Sequence, residues 1–85
     1  MEEELRANIG RLHTTALGVE RVRRNLCLAA SQDVVAWCKE QVLAPGSGMI
    51  RKGKNWYVQA KGIEITINAR SYTIITAHRV SPGNQ

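Results

Sequence analysis

Ile63-Glu64-Ile65-Thr66-Ile67-Asn68 is the stretch that decides the fold. Apolar and polar side chains alternate without a break, and successive residues of a strand point to opposite faces, so this segment reads as a strand with one buried face. Its neighbours extend the pattern. Lys61-Gly62 before it is a turn, and Trp56-Tyr57-Val58-Gln59-Ala60 before that is a second strand. Met49-Ile50-Arg51-Lys52 is a third, broken off by Gly53. After it, Asn68-Ala69-Arg70-Ser71 is turn-like and Tyr72 to Arg79 is rich in β-branched residues, which suit a pleated half-buried surface.

Upstream of Ala44-Pro45-Gly46-Ser47-Gly48 the period changes from two to about 3.6. Leu5, Ile9 and Leu12 form one stripe. Glu2, Glu3 and Glu4 occupy the first turn, where acids suit the positive end of a helix. A second helix is capped by Thr15 and buries Val19, Val22 and Leu26, with Arg21, Arg23 and Arg24 on its polar side. A third runs from a Ser31 cap through Val34, Cys38 and Val42, widened by Val35. Proline, which lacks an N–H, and the glycines then end helix formation. Helices followed by a meander predict an α+β domain: about three N-terminal helices on one face of a three- to four-stranded antiparallel sheet over residues 1–80, with a frayed tail at 81–85.

The register of the last hairpin decides where His78 lies. A three-residue loop Ala69-Arg70-Ser71 pairs Asn68 with Tyr72 and sends Thr73, Ile75 and Ala77 to the core. It leaves Tyr72, Thr76 and His78 on the open face beside Glu64 and Thr66. A two- or four-residue loop inverts this and buries Tyr72, Ile74, Thr76 and His78. The first register is preferred because it buries no histidine, although it exposes Ile74.

Eighty-five residues make one small core and not two. A hydrophobic share of 44% argues against disorder, and no apolar run approaches the roughly 20 residues of a membrane span. Met1-Glu2-Glu3-Glu4 is acidic where a secretion signal is basic, and two cysteines are few for a disulfide-stapled domain. The expectation is a cytoplasmic protein with reduced thiols and no membrane partner. Net charge is +5, and outside the Glu2–Glu4 tip twelve Lys and Arg face four acids, +8. A polyanion is the usual partner of such a surface, because each neutralised phosphate releases a counterion.

Arg51-Lys52-Gly53-Lys54-Asn55-Trp56-Tyr57 is the most telling segment: cations for phosphates, an amide, and aromatics able to stack on bases. Arg51, Lys52, Lys54 and Asn55 are candidate nucleic-acid contacts, with Arg24 and Tyr72. Trp56 is a candidate stacking platform, though as a strand residue it also suits the core. His13 before the second helix, with Arg21 one side of that helix, offers an acid–base group beside a cation for metal-free phosphate chemistry. Thr76 and His78 on the last strand offer a hydroxyl and a second imidazole. A histidine near a helix end is also an ordinary dipole partner. Cys27, Cys38, His13 and His78 match no compact zinc spacing, and neither a phosphate-cradling glycine loop nor an acidic cluster for magnesium occurs, so no metal or cofactor is expected.

Two stretches carry a resemblance. His13-Thr14-Thr15-Ala16-Leu17-Gly18-Val19-Glu20-Arg21 with Asn25-Leu26 is the first. Arg51 to Val58, Ile65 to Ala69 and Ser71 to His78 make the second. They resemble a small bacterial family defined as a conserved domain of unknown function, over nearly the whole chain. In the order of its parts the chain also resembles the RelE, barnase and colicin-type ribonuclease superfamily. That likeness implies metal-independent RNA cleavage on an open sheet face, with His13, Arg21, Lys54, Thr76 and His78 as the equivalents by role, and without the acidic base of barnase-like enzymes. The expectation is therefore a nucleic-acid-binding protein, RNA favoured, with toxin-type ribonuclease activity. The alternative is a non-catalytic module binding nucleic acid or a nucleoprotein complex, such as a phage- or element-encoded inhibitor. A third class is a plain interaction domain with a protein partner such as an antitoxin.

Overall fold

The computed structural model describes the backbone of residues 2–80 and the side chains of 4–80. The expectations for Ser81–Gln85 and for the side chains of Glu2 and Glu3 lie outside the described residues. Helix α1 (Glu2–Ala7) is followed by a short 3-10 turn (Ile9–Arg11), then α2 (Ala16–Leu26) and α3 (Val34–Leu43). Strands β1 (Gly48–Lys52), β2 (Asn55–Ala60), β3 (Ile63–Asn68) and β4 (Ile74–Arg79) form one antiparallel sheet in the order β1-β2-β3-β4. The α+β architecture is the one the alternation of Ile63 to Asn68 implies.

Local chemistry explains the element ends. The Thr15 hydroxyl accepts from the Gly18 amide at 3.0 Å and starts α2. The α2 helix closes through Cys27, which takes the left-handed conformation (φ 56°) while the Leu28 amide reaches back to the Arg23 carbonyl at 3.0 Å. α3 starts later than its Ser31 reading: Asp33 is the cap, its carboxylate accepting from the Ala36 amide at 3.0 Å. A carboxylate accepts more strongly than a hydroxyl and two residues further on it still suits the Val34–Cys38–Val42 stripe, so it wins. The Leu5–Ile9–Leu12 stripe is interrupted as well. The Asn8 side-chain amide donates to the Glu4 carbonyl at 2.8 Å, ending α1, and the 3-10 turn brings Leu12 into the core.

The core lies between the helices and one sheet face. Leu5, Leu12, Val22, Leu26, Val34, Cys38 and Val42 pack against Met49, Trp56, Val58, Ile63, Ile65, Ile67, Ile74 and Ala77. β4 contains a bulge: Thr66 pairs with Thr76 but Ile67 pairs with Ile74, leaving Ile75 as the extra residue. Neither simple register is realised. Burying an isoleucine contributes about 1.5–3 kcal/mol, and burying an unpaired polar group costs about 1–3 kcal/mol. A bulge sacrifices roughly one ladder hydrogen bond, about 1 kcal/mol. It keeps Ile74 and Ala77 in the core while holding His78 outside, and so corrects the expectation that Thr73 and Ile75 are core residues. Tyr72, expected on the open face, is buried.

Candidate nucleic-acid interface

In an antiparallel meander the first and third turns fall at one end of the sheet. Here these are the β1–β2 turn, Gly53-Lys54, and the β3–β4 loop, residues 69–73. The Ala69 amide donates to the Lys54 carbonyl at 2.8 Å, tying the two together. Between them lies a cleft of about 330 Å³ lined by Arg51, Gly53, Lys54, Asn68, Ala69 and Arg70. Three lining residues are cationic and none is acidic. The Arg51 guanidinium donates to the Gly53 carbonyl at 3.1 Å and stands 5.6 Å from the Trp56 ring centre, which holds a flexible cation at the cleft wall.

The loop is built on Asn68. Its side-chain oxygen accepts from the amides of Arg70 and Ser71, both at 2.9 Å, an Asx turn that aims Arg70 outward. Residue 13 then joins the end of β4: the His13 amide donates to the Tyr72 carbonyl at 3.2 Å and the Ile74 amide to the His13 carbonyl at 2.7 Å. Tyr72 sits at φ 62° with its ring in the core and the Arg11 guanidinium 4.4 Å from the ring centre.

A chain of side chains starts at His13. Nδ1 lies 2.8 Å from the Arg11 carbonyl, which can only accept, so Nδ1 carries hydrogen. Nε2 lies 3.0 Å from the Thr73 hydroxyl, which lies 2.7 Å from the Ser71 hydroxyl, itself 3.2 Å from the Asn68 side-chain oxygen. With a neutral imidazole, Ser71 donates to Thr73 and Thr73 to Nε2. With an imidazolium every donor reverses: Nε2 donates to Thr73, Thr73 to Ser71, Ser71 to Asn68. Both states are fully satisfied, so a proton can enter or leave His13 without orphaning a group on the chain.

The other candidates are dispersed. His78 lies at the far end of β4, five residues beyond Thr73, roughly 16 Å at about 3.3 Å per strand residue. There it stands opposite Glu64, with Nε2 at 3.7 Å from the carboxylate. Thr76, between the two ends, receives the Asn25 amide at 3.5 Å. Arg21 and Arg24 are exposed on α2, while Arg23 donates to the Gln32 carbonyl at 2.8 Å and holds the α2–α3 loop. Lys52 and Asn55 lie on the outward sheet face, Asn55 donating to the Tyr57 hydroxyl at 3.4 Å. Trp56 and Tyr72 are core residues, 1% and 4% exposed, and present no face for a base to stack on. The indole nitrogen of Trp56 is buried without a hydrogen-bond partner. Arg70, Asn68 and Ser71 are the participants that reading along the chain did not single out. Turn parity in a four-stranded meander was the signal that would have found them.

Cys27 is exposed and Cys38 buried, and burial pushes the Cys38 thiol up to about 12. Among the described residues no three potential ligands cluster for a metal, and no helix is long and apolar enough to cross a membrane.

A family described as protein of unknown function (DUF3781) matches residues 6–78. The chain belongs to that family. The match runs from Arg6, near the end of α1, to His78 in β4, so it takes in α2, α3, the meander and both sheet ends. No curated protein and no solved structure matches the chain.

Proposed function

We propose that the protein binds nucleic acid, RNA foremost, by seating backbone phosphates in the cleft between the β1–β2 turn and the β3–β4 loop. The observation that carries this is the convergence of Arg51, Lys54 and Arg70 on one cleft without a carboxylate among its lining. Like charges gathered on a small domain repel one another, and an anion relieves that repulsion. Arg21, Arg24 and Lys52 add a wider basic surface for longer-range attraction. The test is fluorescence anisotropy with a labelled single-stranded RNA at several salt concentrations. Three neutralised phosphates predict a slope of about −2 in log K against log salt. No binding at about 50 mM salt would remove the proposal and favour a protein partner, such as an antitoxin or a nucleoprotein complex.

The His13–Thr73–Ser71 chain favours a second reading, metal-independent cleavage of that RNA in the manner of a toxin ribonuclease. A 2′-hydroxyl gives its proton to Ser71, whose own proton passes to Thr73 and that of Thr73 to His13 Nε2. The 2′-oxygen then displaces the 5′-oxygen at phosphorus, leaving a 2′,3′-cyclic phosphate, and the departing oxygen takes a proton from solvent. Lys54 and Arg70 offset the added negative charge. His78, engaged with Glu64 at the other end, has no place in this scheme. Cleavage in EDTA that persists in His78→Ala and disappears in His13→Ala and Thr73→Val is the expected result. Gel-shifted but intact RNA would leave a binding module.

A further inference from the structure

We infer that the outward sheet face beside the β1–β2 turn holds a pocket for an unpaired base, so that the protein selects single-stranded nucleic acid. This inference rests on the phosphate-binding reading of the neighbouring cleft. A second hollow, of about 490 Å³, is lined by Ile50, Lys52, Gly53, Tyr57, Gln59 and Glu64. Gly53 lines both hollows, so the two meet at the β1–β2 turn. Gly53 takes the left-handed conformation that the turn requires (φ 61°), and a side chain there would project into open space.

The second hollow has the chemistry of a base site rather than of a phosphate site. Its floor is apolar: Ile50, 56% exposed, stands directly across the sheet from the half-buried Tyr57. Its rim is polar: the Gln59 amide donates to the Glu64 carboxylate at 3.1 Å. A base has a flat apolar face and a hydrogen-bonding edge, and stacking on an aromatic ring tolerates any base. A duplex buries those faces against neighbouring pairs, so only a strand with a free base can place a phosphate in one hollow and a base in the other. An isolated exposed isoleucine needs no explanation. Here it is paired with an aromatic, and the pair is joined to a cationic cleft that matches the charge of the strand.

The probes are a ten-nucleotide uridine RNA, the same backbone without bases, and inorganic polyphosphate. The wild-type protein is expected to bind the base-bearing strand roughly ten-fold more tightly than the abasic one. Tyr57→Ala should bind both alike, at the abasic level, while its affinity for polyphosphate is unchanged. Tyr57→Phe should retain most of the preference, and Ile50→Ala, at an exposed position that leaves the fold intact, should lose part of it. Equal affinity of the wild type for base-bearing and abasic strands, with polyphosphate still bound, would overturn the base pocket and leave the phosphate cleft standing. Failure to bind any of the three would overturn both.

Discussion

The two ends of the sheet each carry a histidine, and the structure uses them differently. At one end His13 enters a hydroxyl chain beside a cleft with three cations. At the other His78 faces Glu64 across the β3–β4 ladder, its side chain 46% exposed. One imidazole ends a hydroxyl chain beside a cationic cleft, while the other has a carboxylate for company and a solvated surface around it. Residue type alone did not separate them; position in the meander does. On the proposed reading a polyanion is drawn to the His13 end, and the comparison can be broken by moving charge.

The largest effect is expected from the cleft cations. Lys54→Glu with Arg70→Glu replaces two attractive charges by two repulsive ones at exposed positions. Affinity for single-stranded RNA at about 0.1 M salt should fall at least 100-fold, and the salt slope should flatten. Lys61→Glu, in the turn at the His78 end, should change affinity less than about three-fold. Equal losses at the two ends, read by anisotropy, would mean that net charge matters and the cleft does not.

A smaller effect, on stability, tests how the His13 end is held. Gly18 is buried in α2, and a Cβ there would meet the Thr14 hydroxyl. That hydroxyl donates to the Ile74 carbonyl at 2.8 Å and pins the segment before α2 to β4. Gly18→Ala should cost about 1–2 kcal/mol, because the hydroxyl must turn away and the Ile74 carbonyl loses its donor. Thermal unfolding reads the loss. Hydrogen exchange should quicken at the Ile74 amide, which binds the His13 carbonyl, and not at the amide of Val80, which binds the Gly62 carbonyl at the other end.

Much of the architecture was legible in the sequence, and the failures have physical reasons. The Ile63–Asn68 alternation, the Pro45–Gly46 break and the Thr15 cap sufficed for three helices and a meander, since each is a local rule with one outcome. The last hairpin was not legible, because the strand Tyr72–Arg79 satisfies one parity at Ile74 and the other at His78. Only a bulge reconciles them, and nothing in the run Ile74-Ile75-Thr76 marks where it falls. The Arg51–Asn55 segment drew attention through its charge. Arg70 and Ser71 did not, because their contribution comes from the third turn folding back beside the first.

The core that joins the ends gives a pH-dependent prediction. Burial pushes the Cys38 thiol up to about 12 from 9.0. Below pH 9 the thiol is protonated in both the folded and unfolded chain and contributes nothing. Above pH 9 the unfolded chain releases the proton while the folded one keeps it, so stability falls as pH rises through the window from 9 to about 12. The loss should reach about 1.4 kcal/mol by pH 10. Urea midpoints at pH 8 and pH 10 should differ less in Cys38→Ala than in the wild type, since the remaining tyrosines and lysines are common to both. An identical pH dependence would place the thiol in contact with water.

The smallest effect is expected at the His78 end. His78 and Glu64 are 3.7 Å apart, partly exposed, and Glu64 also accepts from Gln59 at 3.1 Å. With the imidazole protonated, a pair of this kind gains modest Coulomb energy in water and loses side-chain freedom, so it stabilises by less than about 1 kcal/mol. His78→Ala should therefore shift the unfolding free energy by no more than about 0.5 kcal/mol and leave RNA affinity within two-fold of wild type. Added salt should shrink even that difference, because the pair is screened. If His78→Ala instead weakens RNA binding as strongly as the Lys54 and Arg70 changes, the strand must continue past the Gln59–Glu64 rim of the proposed base pocket to His78, and the two ends belong to one site.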